Sequence, residues 1–211
     1  MVATAVHLVR HGEVFNPAGV IYGRLADFRL SDRGRAMAAA AAEALADRPV
    51  TRVIASPLLR AQQSAAPIVD RFGLPLESDD RVIEAGNVFE GRVTAGGALL
   101  RTPADWRYFV NPARPSWGEP FRRILERMRA AVDDAFTGTE SGEAVIVSHQ
   151  LPIWTMHRAV AGRPLAHDPR HRRCALSSIT SFGRLGGVLV ETAYADPGAA
   201  VTADAVDEGA A

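Results

Sequence analysis

Apolar residues along this chain fall into short runs separated by longer amphipathic stretches. The runs at 4–9, 51–55, 144–148, 178–182 and 188–193 are brief and rich in Val or Ile. That length and composition predict strands, most of them buried. A minor strand is expected near Leu74-Pro75-Leu76. Between the runs the apolar spacing changes to threes and fours. Ser31 to Asp47 opens on a capping residue and continues Ala-rich, which predicts a helix. Ser56 or Pro57 opens a second helix that reaches Phe72, and Pro67 inside it is expected to kink or shorten it. Glu119-Pro120 opens a third, where Phe121, Leu125, Met128, Val132 and Phe136 form one apolar stripe facing the core. A fourth runs from about Pro152 to Val160. Strands alternating with helices predict an α/β fold: a three-layer α/β/α arrangement around a doubly wound, mostly parallel sheet.

Residues 84–118 break the alternation. They carry Gly86, Gly91, Gly96, Gly97, Pro103, Pro112 and Pro115 with Trp106 and Trp117, an irregular composition with bulky side chains. Long connections in compact domains are functional more often than passive, so this segment is expected to cap a site. From Asp196 the chain is rich in Ala, Asp and Gly, and a tail without fixed structure is expected over 196–211. The organisation is therefore one domain over 1–195, including the cap.

The chemistry lies at the strand ends. Ala5-Val6-His7-Leu8-Val9 releases Arg10-His11-Gly12. Val53-Ile54-Ala55-Ser56 leads into Pro57-Leu58-Leu59-Arg60. Ala144-Val145-Ile146-Val147-Ser148 leads into His149. If these strands are parallel neighbours, Arg10, His11, Arg60 and His149 converge at the carboxyl edge of the sheet, where α/β folds bind ligands. Guanidinium groups stay charged at any working pH and grip phosphate oxygens in bidentate fashion, so the cluster suits a phosphoester.

In order along the chain, Leu8-Val9-Arg10-His11-Gly12-Glu13, then Asn16, Gly23, Leu30-Ser31 and Gly34, then Ser56-Pro57-Leu58-Leu59-Arg60-Ala61, Glu84 with Phe89-Glu90-Gly91, and Val147-Ser148-His149 resemble the histidine phosphatase superfamily, including its cofactor-dependent phosphoglycerate mutases. The resemblance covers roughly residues 4–182. It implies that His11 is a nucleophile forming a phosphohistidine, that Arg10, Arg60, His149 and Asn16 contact the phosphoryl group, and that Glu84 is the acid for the leaving alkoxide. His149 counts with His11 and Glu84 in the catalytic set. It implies no metal and no cofactor. The expected activity is metal-independent hydrolysis of a small phosphorylated metabolite. A phosphoglycerate mutase and a non-catalytic phosphate-binding domain are the alternatives, and a homodimer is open.

Other residues have blander readings. Glu90 and Glu119 lie close enough in sequence to compete with Glu84 as the acid. Asn16 precedes Pro17 and suits a turn. Ser56 reads as a helix cap before a nucleophile. His157, His167, His171 and Asp168 lack the spacing of a helical metal motif and read as a polar or supporting loop. Arg92, Arg101, Arg107 and Arg114 could meet an acidic group of a substrate. The chain also departs from the family pattern: Val14 replaces a hydroxyl residue, Glu84 lies six positions before Glu90 and not seven, and Gln150 takes a glycine's place after His149.

Bulk properties narrow the classes. The 211 residues carry 24 basic and 24 acidic side chains, so net charge gives no argument for nucleic acid or an anionic membrane as partner. One cysteine, Cys174, excludes an internal disulfide framework. No segment reads as a leader or membrane span, and the cytoplasm is the expected compartment.

Overall fold

The computed structural model describes residues 3–93 and 118–201. Most of the expected cap, with Arg101, Arg107 and Arg114, lies outside the described residues. The elements are β1 (Ala5–Arg10), α1 (Asp32–Ala44), β2 (Val50–Ala55), α2 (Leu59–Phe72), β3 (Leu76–Ser78), α3 (Phe121–Gly138), β4 (Glu143–Ser148), α4 (Gln150–Val160), β5 (Ile179–Leu185) and β6 (Val188–Ala195).

These strands form one sheet in the order β3-β2-β4-β1-β5-β6. β3, β2, β4 and β1 are mutually parallel. β5 and β6 are antiparallel, so the sheet is mixed. The reason for the last reversal is local. Leu185 pairs with Val188 across Gly186-Gly187, both at positive φ, which is the two-residue turn that joins antiparallel strands.

Alternate residues of the central strands face opposite layers. Val6, Leu8, Ala144, Ile146 and Ile54 pack with Ile124, Met128, Val132 and Phe136 of α3 and with Ile153 and Met156 of α4. Val9, Val145, Val147, Val53 and Ala55 pack with Ala41 and Ala42 of α1 and with Ala61, Ala65 and Ile68 of α2. The α3 stripe thus faces the core, with Ile124 added to it and Phe121 and Leu125 at its partly buried edge. α1 begins as its sequence suggests: the Ser31 side chain accepts the Gly34 N–H.

Two expectations change. α2 is not shortened at Pro67 and continues to Phe72, because a proline removes one backbone hydrogen bond while Ala65 and Ile68 nearby are fully buried against the sheet. The tail is ordered at its start: Pro197–Val201 form a 3-10 turn over α1, with Gly198 buried so tightly that a Cβ would lie 2.9 Å from the Leu176 carbonyl oxygen. Residues 202–211 lie outside the described residues.

At the amino ends of the strands a polar lock replaces apolar packing. His7 Nε2 lies 2.9 Å from Glu143 Oε2 and His7 Nδ1 2.8 Å from Ser181 Oγ. Arg48 closes on both oxygens of Glu143. Burial depresses the His7 pKa against the pull of Glu143, while Arg48 and His7 keep the Glu143 pKa low despite burial.

Ile146 is fully buried in the strand between β1 and β2. Ile146→Ala is expected to destabilise the fold by about 2–5 kcal/mol, lowering the thermal midpoint by roughly 5–20 °C. Leu185, 75% exposed at the hairpin tip, is the control: Leu185→Ser should stay within about 0.5 kcal/mol. Melting curves followed by circular dichroism distinguish the two.

Candidate active site

β2, β4 and β1 are adjacent and parallel, and their carboxyl ends are level: Val147 pairs with both Val9 and Ala55, and Arg10 pairs with Ser148. Backbone pairing continues one step beyond the strands, with His11 N–H donating to the Ser148 carbonyl and Ser56 N–H to that of Val147. Arg10, His11, Ser56 and His149 are therefore carried on three neighbouring strand ends, and Arg60 lies in the first turn of α2, which follows β2. All five are fully buried.

The loop after His11 is pinned by close backbone approach. A Cβ on Gly12 would lie 2.3 Å from the Gly34 carbonyl oxygen, and one on Gly34 would lie 2.0 Å from that of Glu13. Only glycine fits at either position. Ser177, at a left-handed φ of 57°, donates its N–H to the His11 carbonyl from the other side. Such backbone strain is concentrated at functional sites.

His11 Nδ1 lies 2.8 Å from the Gly12 carbonyl oxygen. A carbonyl can only accept, so Nδ1 carries the proton and Nε2 carries the lone pair. That Nε2 is buried and has no hydrogen-bond partner among the described residues. The His11 and His149 rings lie 5.1 Å apart. Burial first, and then the charges of Arg60 and Arg10, hold the His11 pKa well below its ordinary value. His149 is depressed in the same way, by burial and then by Arg60.

Arg10 donates to the Cys174 carbonyl. Arg60 donates to the carbonyls of Gly23 and Leu25 and lies over the Tyr22 ring, 4.8 Å from its centroid. Arg60 Nε, His149 Nδ1 and Glu84 Oε2 are also buried without a hydrogen-bond partner among the described residues. Ser56 has a role that sequence reasoning missed: its hydroxyl lies 2.8 Å from His149 Nε2 and fixes that ring. A serine directly after a strand gave a cap signal and no hint of this long-range contact.

Glu84 is fully buried, and burial raises its pKa against the opposing charges of Arg60, Arg172 and Arg10. Its Oε1 accepts the Ala85 N–H. The backbone around it is clamped. Arg24 Nε donates to the Glu84 carbonyl, Arg127 to those of Arg81 and Ile83, and Ser148 Oγ to that of Val82. Glu119 holds Arg24 and Arg127 in ion pairs, and Glu90 accepts the N–H groups of Arg24 and Asn87. These two carboxylates are engaged in holding the loop, while Glu84 Oε2 is buried with no hydrogen-bond partner among the described residues and the charges of Arg60, Arg172 and Arg10 act on it.

Asn16 is engaged locally. Its amide closes its own loop, donating to the Val20 carbonyl and accepting the Val20 N–H. A short polar side chain before a proline satisfies the nearest backbone first. Arg92 lies over the Phe89 ring. Val14 is buried and bridges to Leu30. Among the described residues no three His, Cys, Asp or Glu side chains gather as metal ligands, and no helix is long and apolar enough to cross a membrane.

Comparison with known proteins agrees with this geometry. Residues 6–193 match the model of the histidine phosphatase superfamily, branch 1. The Mycobacterium tuberculosis protein Rv0525 is 52% identical over 197 residues, covering 93% of this chain and 98% of that one. A probable phosphoglycerate mutase, GpmB of Yersinia pestis, is 33% identical over 183 residues, covering 82% of this chain and 83% of its own. Among solved structures, Bacillus stearothermophilus YhfR superposes with a TM-score of 0.77 at 26% identity, covering 90% of this chain and 96% of that one. Mycobacterial glucosyl-3-phosphoglycerate phosphatase Rv2419c superposes with a TM-score of 0.71 at 25% identity and the same coverage. The chain belongs to branch 1 of the histidine phosphatase superfamily.

Proposed function

We propose that this protein is a phosphomonoester hydrolase that works through a phosphohistidine at His11 and needs no metal. The observation that carries this reading is the tautomer of His11: Nδ1 is tied to the Gly12 carbonyl, and Nε2 is left as a buried lone pair, with the His149 ring 5.1 Å away and the charges of Arg60 and Arg10 acting on it. Arg10 and Arg60 meet the negative oxygens of the phosphoryl group, which is where charge stabilisation matters most in phosphoryl transfer. His149, oriented by Ser56, adds a further contact.

His11 Nε2 attacks phosphorus as the bond to the leaving oxygen breaks. Glu84 gives its proton to that oxygen, and the alcohol departs. Water then attacks the phosphohistidine, Glu84 takes a proton from it, and the P–N bond breaks to release inorganic phosphate and neutral His11. Both catalytic groups start in the required form. The depressed pKa of His11 keeps it neutral below its ordinary range, and the raised pKa of Glu84 keeps it protonated above its own. The substrate is a small phosphorylated metabolite. The likeness to probable phosphoglycerate mutases supports a second reading, in which a substrate hydroxyl intercepts the phosphohistidine in place of water. Phosphate release from 3-phosphoglycerate, without formation of 2-phosphoglycerate, counts against it.

The direct test is phosphate release from p-nitrophenyl phosphate with and without EDTA. Activity should resist EDTA and vanish in His11→Ala, and persistent full activity in that variant would sink the mechanism. Glu84→Gln should slow an alkyl phosphate by about 100- to 10,000-fold and the activated aryl ester far less, and equal losses would point to another acid. For the alkyl phosphate, kcat/KM should be highest on the acid side of neutrality. It should fall as pH rises through the Glu84 pKa, and a pH–rate profile of Glu84→Gln should lack that alkaline limb.

A further inference from the structure

A neutral imidazole offers one N–H and one lone pair, and which nitrogen of His149 carries the hydrogen follows from its fixed partner. His149 Nε2 lies 2.8 Å from Ser56 Oγ, and His149 Nδ1 is buried with no hydrogen-bond partner among the described residues. Ser56 is fully buried, and besides His149 its hydroxyl meets only the Leu58 N–H among the described residues, 3.4 Å away. An N–H can only donate, so that contact uses a lone pair of the hydroxyl and gives its hydrogen no acceptor. The acceptor left for the Ser56 hydrogen is His149 Nε2. If Nε2 carried a hydrogen of its own, the hydroxyl hydrogen would be buried unpaired, which is costly. Ser56 therefore donates, Nε2 holds the lone pair and Nδ1 carries the hydrogen.

Backbone held at both ends fixes where the hydroxyl starts. Ser56 N–H donates to the Val147 carbonyl of β4, and Gln62 of α2 donates its Nε2 to the Ser56 carbonyl at 2.8 Å. His149 is held as the residue before α4, where its carbonyl accepts the Ile153 N–H. The ring cannot turn over without losing its bond to Ser56. The two histidines of the site are thus opposites at their free nitrogens. His11 is anchored through Nδ1 by an acceptor, which leaves a bare Nε2. His149 is anchored through Nε2 by a donor, which leaves Nδ1–H. Phosphoryl oxygens accept hydrogen bonds, so an N–H stabilises them and a lone pair repels them.

We propose that Ser56 is a positioning residue that sets the tautomer of His149, so that His149 offers Nδ1–H to a phosphoryl oxygen while His11 keeps its lone pair for attack. The contact between His149 and the phosphoryl group rests on the reading above, whereas the tautomer rests on the hydrogen bonds alone. Ser56 touches no reacting atom and acts through His149. A serine that served only to cap the start of α2 would leave the His149 tautomer unchanged when removed, so the tautomer separates the two roles.

The test reads the ring and the anion site separately. Nitrogen NMR of the full chain, labelled in its histidines, should show His149 with hydrogen on Nδ1 and a bare Nε2, its signal identified by absence in His149→Gln. In Ser56→Ala the Nε2–H tautomer should appear, and calorimetric titration should show inorganic phosphate bound about 10-fold more weakly. Ser56→Thr, which keeps the hydroxyl, should restore the Nδ1–H form and recover most of the lost affinity. An Nε2–H ring in the native chain overturns the proposal, and so does a ring unchanged in Ser56→Ala. Unchanged phosphate affinity in a variant whose tautomer has shifted also overturns it. Ser56→Cys, of similar size but a weaker donor, takes the place of Ser56→Ala if that variant does not fold. Hydrolysis of p-nitrophenyl phosphate by the native chain is scored separately. If hydrolysis fails while the tautomer and the phosphate affinity move as expected, the hydrolase reading falls and Ser56 stands as the residue that orients an anion site.

Discussion

Two guanidinium groups are fully buried at the carboxyl ends of parallel strands, and the arrangement around them follows from that constraint. A buried cation is tolerated only where acceptors surround it. Here backbone carbonyls supply them: Cys174 for Arg10, and Gly23 and Leu25 for Arg60. These contacts bring the loop before α1 and the loop before β5 over the sheet edge. Burial first, and then the same positive field, holds the His11 and His149 pKa values down. That field also opposes the burial that keeps Glu84 protonated.

The supporting structure is a second layer of that arrangement. Glu119, Arg24 and Arg127 hold the backbone on either side of Glu84, while Gly12 and Gly34 let α1 press on the loop after His11. Neither group touches a reacting atom by this reading. Each restricts where a reacting atom can be, which is what positioning requires in phosphoryl transfer.

The strands and the residues at their ends were legible in the sequence because a strand forces its last side chains to a known edge. Arg10, His11, Arg60 and His149 meet because β2, β4 and β1 are parallel neighbours; apolar runs mark the strands, and their pairing was a condition of the sequence reading. What sequence reading missed depends on contacts between distant loops. The Ser56–His149 bond and the Gln150–Arg172 bond join segments whose proximity no local pattern encodes. The local bonds of Asn16 to Val20 suit the turn that a short polar side chain before Pro17 suggests. The antiparallel course of β5 and β6 was hidden because an apolar run does not reveal its direction; only Gly186-Gly187 marked the hairpin.

Three histidines, His7, His11 and His149, are buried with depressed pKa values, His7 at the far end of the same strand as the site. Above their ordinary pKa of 6.5 neither the folded nor the unfolded chain protonates them, and they are silent in the folding equilibrium. Below it the unfolded chain takes up protons that the folded chain refuses, so the balance moves toward unfolding until the depressed pKa values are reached. The burial that keeps these three histidines neutral therefore withdraws their share of stability from the fold as the pH falls below 6.5.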